Sequence, residues 1–371
     1  MKKSKIVYVA MSGGVDSSVA AAILKRRGFN VVGVFFKPWS PTSDVGYWMS
    51  DVRHCGWRQD RLDAMRVAAI LGIPFKTWDF SKEYGQRVVG YMIDSYRRGL
   101  TPNPDVVCNK EIKFGLFLKK ALAEGADCIA TGHYVKSEKR KAKSEKDNPY
   151  KLLQARDRNK DQSYFLWTLN QEQLKHCLFP IGGYTKPEVR ALAKKFGLPN
   201  WNKKDSQGVC FVGKLNMKDF LKNYIEPRQG EIKLITTGET IGTHDGSCYY
   251  TIGQRHGLNI TNGGGPYYVV EKDVIENQLT VNRKQMAASS AEVGKINWTS
   301  GKPKLPLEAQ VKIRYRTEVV SARISHNGSD RRLLVKFLRP ARAITPGQSA
   351  VFYRGREVLG GGVIKTLSMD H

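Results

Sequence analysis

The sequence predicts an α/β region followed by β structure: an N-terminal doubly wound parallel sheet, a small central β-rich domain and a C-terminal β-barrel. Three observations carry this. Apolar β-branched runs alternate with amphipathic helix patterns through the first part of the chain, the order of a parallel sheet with ligands at the carboxyl ends of its strands. Helical periodicity disappears after Phe220-Leu-Lys-Asn-Tyr224, where Gly, Tyr, Val and Thr begin to alternate with turns. From Pro306 onward short alternating strands recur at the turn spacing of a small barrel. A chain of 371 residues exceeds one average domain. The expected boundaries are 1–214, 215–288 and 289–371.

Lys5-Ile-Val-Tyr-Val-Ala10 reads as a buried parallel strand. Met11-Ser-Gly-Gly-Val-Asp-Ser-Ser18 follows, and Val19 to Arg26 reads as a helix that stops at Gly28. A strand, a Gly-Gly turn and a helix N-terminus present backbone N–H groups that suit a bound anion. Gly13 and Gly14 allow the turn and a close approach of phosphate; Ser12, Ser17 and Ser18 add hydroxyls. No G-x-x-x-x-G-K-[ST] occurs, so the loop is not the usual γ-phosphate cradle. The set S-G-G-x-D-S resembles instead the pyrophosphatase loop of enzymes that cut ATP between its α and β phosphates. Val31 to Phe36 reads as the second strand, Asp60 to Leu71 as a helix, Pro74 to Asp79 as the third strand and Tyr84 to Tyr96 as a helix. Cys128 to Thr131 is a short buried strand leading into Gly132-His133. Phe36, Gly132 and the serine loop all fall at strand ends.

Thr101-Pro-Asn-Pro-Asp105 implies an extended path, with helix periodicity from about Lys110. Cys108 is thus expected just ahead of a helix N-terminus, where the dipole stabilises a thiolate. Lys136 to Asp147 is low-complexity and charged, and reads as a solvated loop. Lys160-Asp161-Gln162 precedes Ser-Tyr and an aromatic run, and could hydrogen-bond a base or ribose. Lys186 to Phe196 is a helix begun by Pro187 and ended by Gly197. Gly208 and Gly213 bracket a short apolar strand containing Cys210. Among the barrel strands, Gln310 to Tyr315 reads as one, and the alternation from Lys312 to Arg316 places Lys312, Arg314 and Arg316 on one face.

Lys and Arg number 61 against 34 Asp and Glu, leaving +27, and the pI is about 9.8. A surplus of that size favours a polyanionic partner such as RNA. No apolar run approaches the ~20 residues of a membrane span. The first strand begins a few residues after Met1, so a cytoplasmic location without a membrane partner is expected. Six cysteines there act as buried or reactive thiols. No C-x-x-C is present, and His54 and His133 have no metal-ligand spacing, so no metal ligand is assigned.

With these motifs in view, the chain resembles the tRNA-specific 2-thiouridylase family (MnmA/TrmU) almost end to end. The likeness rests on M-S-G-G-V-D-S-S, N-P-D-x-x-C-N-x-x-I-K-F, T-G-H-Y, K-D-Q-S-Y-F-L, G-V-C-F-V-G, T-I-G-Q-R-x-G-L and P-G-Q-x-x-V-x-Y. It implies an adenine nucleotide α-hydrolase-like (PP-loop) first domain and a sulfurtransferase that makes 2-thiouridine at the tRNA wobble position. Ala10, Met11, Ser12, Gly13, Gly14, Val15, Asp16 and Ser17, with Phe36 and Gly132, would hold ATP. Asn103, Pro104 and Asp105 would face the target base. Cys108 would be the nucleophile and Cys210 the persulfide carrier. Lys160, Asp161, Gln162, Arg314 and Tyr315 would touch tRNA. The implied partners are the Lys, Glu and Gln acceptors and a sulfur donor, either a cysteine desulfurase or a sulfur relay protein.

The implied chemistry has two halves. AMP transfer to the uridine C2 oxygen makes a leaving group and needs ATP and Mg²⁺, with Asp16 holding the ion or orienting the loop. Sulfur then arrives from a Cys210 persulfide, either by its direct attack on the activated carbon or as sulfide freed when Cys108 attacks it, which leaves a transient Cys108–Cys210 disulfide. An iron–sulfur cluster on Asp105, Cys108 and Cys210 is the less favoured alternative.

Overall fold

The computed structural model describes residues 4–39, 57–140, 149–205, 216–260, 263–342 and 344–369. Cys210 and the greater part of the lysine-rich stretch, residues 141–147, lie outside them. β1 (Ile6–Ala10) is followed by α1 (Val15–Arg26), β2 (Asn30–Lys37), α2 (Trp57–Leu71) and β3 (Phe75–Asp79). Two helical runs, 81–97 and 104–123, then lead to β4 (Cys128–Ala130). A hairpin, β5 (Val135–Lys139) and β6 (Tyr150–Gln154), precedes β7 (Cys177–Leu178) and the helix Lys186–Lys195. The parallel sheet runs β3-β2-β1-β4-β7, as the alternating pattern predicts.

α1 starts at Val15, four residues before the apolar run. Gly14 supplies the extended N-cap, Asp16 lies in the first turn and Lys25 and Arg26 in the last, each favourable to the helix dipole. Val15, Ser17, Ser18 and Val19 to Leu24 are all buried, because α2 and the Lys186–Lys195 helix flank this helix. Below the sheet, Phe36 packs edge-on against Phe80 and Phe117, with centroids 5.5 and 4.9 Å away. Such pairs contribute about 0.5–1.5 kcal/mol beyond area burial.

The central domain is a four-stranded sheet, β10-β11-β8-β9, from β8 (Gly230–Leu234), β9 (Thr240–His244), β10 (Tyr268–Asp273) and β11 (Gln278–Asn282). The last six strands are β12 (Ala287–Trp298), β13 (Leu307–Lys312), β14 (Val320–Asn327), β15 (Ser329–Arg342), β16 (Ser349–Arg354) and β17 (Glu357–Met369). Their order is β12-β15-β14-β13-β16-β17, and β12 pairs with β17 to close the barrel.

Two expectations need correction. Residues 136–139 are not solvated loop: β5 pairs with β6, and β6 pairs with β17, so the first domain adds a hairpin to the barrel sheet. Lysines suit such an edge strand, since they discourage further pairing. The strand expected over Gln310 to Tyr315 ends at Lys312. Arg314 to Thr317 form a turn, with Thr317 Oγ1 donating to the Arg314 carbonyl at 2.7 Å.

Candidate active site

The serine loop closes on itself. Ser17 Oγ accepts the Ser12 N–H at 3.2 Å and Ser18 Oγ donates to the Gly14 carbonyl at 2.9 Å. From behind, Asn200 Nδ2 donates to the Gly13 carbonyl at 3.0 Å, and Lys203 Nζ reaches that carbonyl and the Asp60 and Asp63 carboxylates. Gly13 has φ +75, and a Cβ there would sit 2.1 Å from the Asp60 carbonyl oxygen. Only glycine fits both the turn and the approach of α2. The loop thereby presents the first-turn N–H groups of α1, which lack intrahelical acceptors.

Gly132-His133-Tyr134 joins this loop to the cysteine-bearing helix. A Cβ on Gly132 would lie 2.6 Å from the Ser17 nitrogen, so the strand end sits directly on the start of α1. Tyr134 donates its hydroxyl to Asp16 Oδ1 at 2.8 Å. Between them, the His133 ring packs 5.7 Å from Phe114, which belongs to the helical run that begins at Pro104. His133 is buried, and that burial with the Lys113 charge lowers its pKa well below the usual value; the imidazole is neutral.

Cys108 is not ahead of a helix N-terminus. Asn103 caps the helix, accepting the Val106 N–H at 3.3 Å, and Pro104 occupies its first turn. Pro at the first position and Asn at the cap are favoured starts, so the helix begins about six residues earlier than the periodicity suggests. Cys108 lies in its second turn, fully buried within the apolar core that includes Val106, Ile112 and Phe114. Asp105 and Cys108 are three apart and share a helix face.

The barrel grips the other end of this segment. Gln348 Nε2 donates to the Thr101 and Pro102 carbonyls at 3.0 and 2.9 Å, and Thr101 N–H donates to the Pro346 carbonyl at 3.0 Å. A Cβ on Gly347 would lie 2.8 Å from the Thr101 oxygen, and its φ is +94. The central domain touches the same point through Thr101 Oγ1 and Thr251 Oγ1, 3.4 Å apart. All three domains therefore meet at the entrance to Asn103. Sequence reading did not single out Gln348, although P-G-Q was a visible motif.

Of the residues expected at RNA, Arg314 is exposed and Tyr315 half-buried. Tyr315 packs 4.4 Å from Phe165 and 6.3 Å from Tyr164. Burial raises the pKa of Tyr96 and Tyr164, and the Arg314 charge opposes the rise at both. Asp161 is buried, its oxygens accepting from Ala155 N–H, Ser163 N–H and Ser163 Oγ at 3.0, 3.3 and 2.8 Å. It shapes the loop. Gln162 is half-buried and exchanges two 2.9 Å hydrogen bonds with the Tyr134 backbone. Lys160 donates to Asp205 at 2.6 Å.

Asp16 is also engaged by Lys186, whose Nζ lies 2.8 and 2.9 Å from its two oxygens. One carboxylate beside serine hydroxyls fits Mg²⁺, which takes one or two carboxylates and keeps phosphate and water ligands. Among the described residues, no three His, Cys, Asp or Glu side chains form a metal cluster. No described helix is long and apolar enough to cross a membrane.

Three family models cover the chain: a tRNA methyl transferase HUP domain over residues 5–214, a tRNA methyl transferase PRC-barrel domain over 218–283 and an aminomethyltransferase β-barrel domain over 289–364. The chain is 46% identical over 363 residues to a tRNA-specific 2-thiouridylase of Geobacillus thermodenitrificans, covering 96% of this chain and 94% of that one. It is 47% identical over 367 residues to the Listeria monocytogenes 2-thiouridylase, covering 97% and 95%. The Enterococcus faecalis 2-thiouridylase is 44% identical over 373 residues, covering 98% and 96%. The chain belongs to the tRNA-specific 2-thiouridylase family of sulfurtransferases.

Proposed function

We propose that this enzyme transfers AMP from ATP to the C2 oxygen of the tRNA wobble uridine and replaces that oxygen by sulfur, releasing pyrophosphate and AMP. The observation that carries the reading is the span of Gly132-His133-Tyr134, which touches the serine loop at one end and the Cys108 helix in its middle. Phosphate chemistry and thiol chemistry thus share one wall.

The first-turn N–H groups of α1 and the loop hydroxyls receive pyrophosphate, the negative charge that develops on leaving. Phe36 contributes the strand-end backbone beside the adenosine, and Gly132 permits close approach. Asp16 would hold Mg²⁺, which when bound neutralises phosphate charge. Asn103, Pro104 and Asp105 form the turn that faces the uracil. Cys108 is fully buried, so base entry has to open a path to it.

Sulfur comes from a Cys210 persulfide charged by a cysteine desulfurase or a relay protein. Its terminal sulfur attacks C2 and expels AMP, after which the Cys108 thiolate attacks Cys210 Sγ, breaking the S–S bond and leaving the outer sulfur on C2. Alternatively, Cys108 first frees sulfide. In both routes the two electrons that bring the persulfide's outer sulfur to the sulfide level come from the two cysteines, which are left as a Cys108–Cys210 disulfide that an external thiol reduces. Lys160, Gln162, Arg314 and Tyr315 form the tRNA contact, with Asp161 bracing it, and the acceptors are tRNAs for Lys, Glu and Gln. The site of action is the cytoplasm.

The test is Cys108→Ser and Cys210→Ser with ATP, Mg²⁺, a sulfur source and unmodified tRNA. Each substitution abolishes 2-thiouridine, read by mass spectrometry of nucleosides, while pyrophosphate release continues. Full thiolation by either variant overturns the cysteine assignment.

A further inference from the structure

One carboxylate, Asp205, connects two loops to which the reading above gives different substrates. Its Oδ2 accepts from Lys160 at 2.6 Å, and its Oδ1 from Lys186 at 2.7 Å and Arg190 at 3.1 Å. Lys186 in turn bonds both oxygens of Asp16. A continuous path of charge therefore runs Lys160–Asp205–Lys186–Asp16, from the K-D-Q loop to the first turn of α1. A second path runs beside it, Gln162 to Tyr134 through backbone hydrogen bonds and Tyr134 to Asp16 through its hydroxyl. Asp157 ties the corner, accepting the Lys186 N–H at 2.9 Å and the Asn159 N–H at 3.1 Å.

The groups are held out of bulk water to unequal degrees. The Lys186 side chain is 11% exposed, whereas Lys160 is 37% exposed. Burial raises the Asp205 pKa, but hydrogen bonds from Lys160 and Lys186 outweigh it and hold the carboxyl at about 2. Lys186 is thus shared between two carboxylates at a partly desolvated site, and a change at either one redistributes it.

We propose that Lys186 and Asp205 are positioning residues that couple RNA binding to nucleotide binding. An RNA phosphate that engages Lys160 removes one of three cations from Asp205. Asp205 then draws Lys186 toward itself, and Asp16 is released to the nucleotide and its cation. The proposal rests on the serine loop being the ATP site and the K-D-Q loop an RNA contact. Linkage requires reciprocity: bound nucleotide tightens RNA by the same factor that bound RNA tightens nucleotide.

The experiment measures, by titration calorimetry, the affinity of full-length protein for α,β-methylene-ATP with Mg²⁺, with and without unmodified tRNA carrying a wobble uridine. Wild type is expected to bind the analogue about tenfold more tightly when tRNA is present. Asp205→Asn and Lys160→Met should each bring that ratio close to one, and Lys186→Arg should retain part of it. Lys160→Met removes only a partly exposed side chain, so it answers the question even where Asp205→Asn loses the fold. A wild-type ratio of one overturns the proposal, as does a tenfold ratio that survives in Lys160→Met. Failure of the analogue or of tRNA to bind at all refutes the underlying site assignments instead, and is read from the single titrations.

Discussion

Gly132→Ala is the sharpest steric probe of the nucleotide loop. The added methyl carbon would lie 2.6 Å from the Ser17 nitrogen, 2.8 Å from the Asp16 carbonyl carbon and 2.9 Å from the Ser17 Cα. All three are backbone atoms of the first turn of α1, so no side-chain rotation relieves the contact. Ordinary contact near 3.5 Å requires a displacement of about 1 Å between β4 and the helix start. Overpacking of this kind costs about 1–3 kcal/mol, or roughly 2–10 °C in the melting midpoint of a region this size. The functional loss is larger, since a misplacement of about 1 Å costs on the order of 100-fold in rate. Gly28→Ala is the control: its φ is +83 and a Cβ meets nothing within 4 Å. It pays about 1 kcal/mol for the backbone conformation and leaves the loop where it is. Pyrophosphate release against ATP concentration and a thermal melt compare the two. A wild-type KM for ATP in Gly132→Ala, with the melting midpoint lowered, would refute the claim that this glycine seats the anion-binding turn.

Arg314→Gln should weaken tRNA binding and flatten the plot of log affinity against log salt by about one unit; an unchanged slope means the guanidinium meets no phosphate. Asp245 accepts from Lys218 at 2.6 Å and Lys222 at 2.7 Å, which ties the helix Met217–Lys222 to the end of β9. Burial raises its pKa, yet the lysines hold it at about 2, below the unfolded value of about 3.9. Its stabilisation is complete above pH 4 and lost as pH falls through 2. Asp245→Asn should therefore melt below wild type at pH 7, with the gap closing between pH 4 and pH 2. A gap independent of pH rules out the ion pairs as its source.

The parallel sheet and the serine loop are readable because each rests on local signals: β-branched runs, Gly-Gly, and an acid in the first turn of the helix that follows. Cys108 was misplaced because Thr101-Pro-Asn-Pro104 carries two competing signals. Proline disfavours helix in the residue before it, while Asn followed by Pro is also a cap and first-turn pair. The second signal governs, and the thiol enters the core. β5 was hidden by charge, since Lys136, Glu138 and Lys139 have no apolar alternation to betray a strand paired on only one side. Lys186 and Asp205 could not be found from spacing at all. They lie 170 and 189 positions from Asp16 in the chain, counted from their numbers; the packing of the Lys186–Lys195 helix against α1 brings Lys186 to it, and Asp205 joins through its ion pair with Lys186.

That long-range character bears on how the site holds its shape. Thr101 and Pro102 belong to no helix or sheet, and a buried carbonyl without a donor is costly. Gln348 meets both with one amide, from the turn that leads into β16, nearly 250 residues away. The approach requires a glycine at 347, and Trp167 Nε1 to Ser349 Oγ, at 3.0 Å, pins the next residue. The turn that carries Asn103 and leads to Cys108 is thus finished by the C-terminal barrel rather than by the sheet beneath it. An enzyme that must match a nucleotide site to a base in a large RNA gains from this arrangement. The barrel that carries Arg314 and Tyr315 also sets the entrance to the thiol, so under the proposed function a shift of the RNA-binding face would move the reaction centre with it.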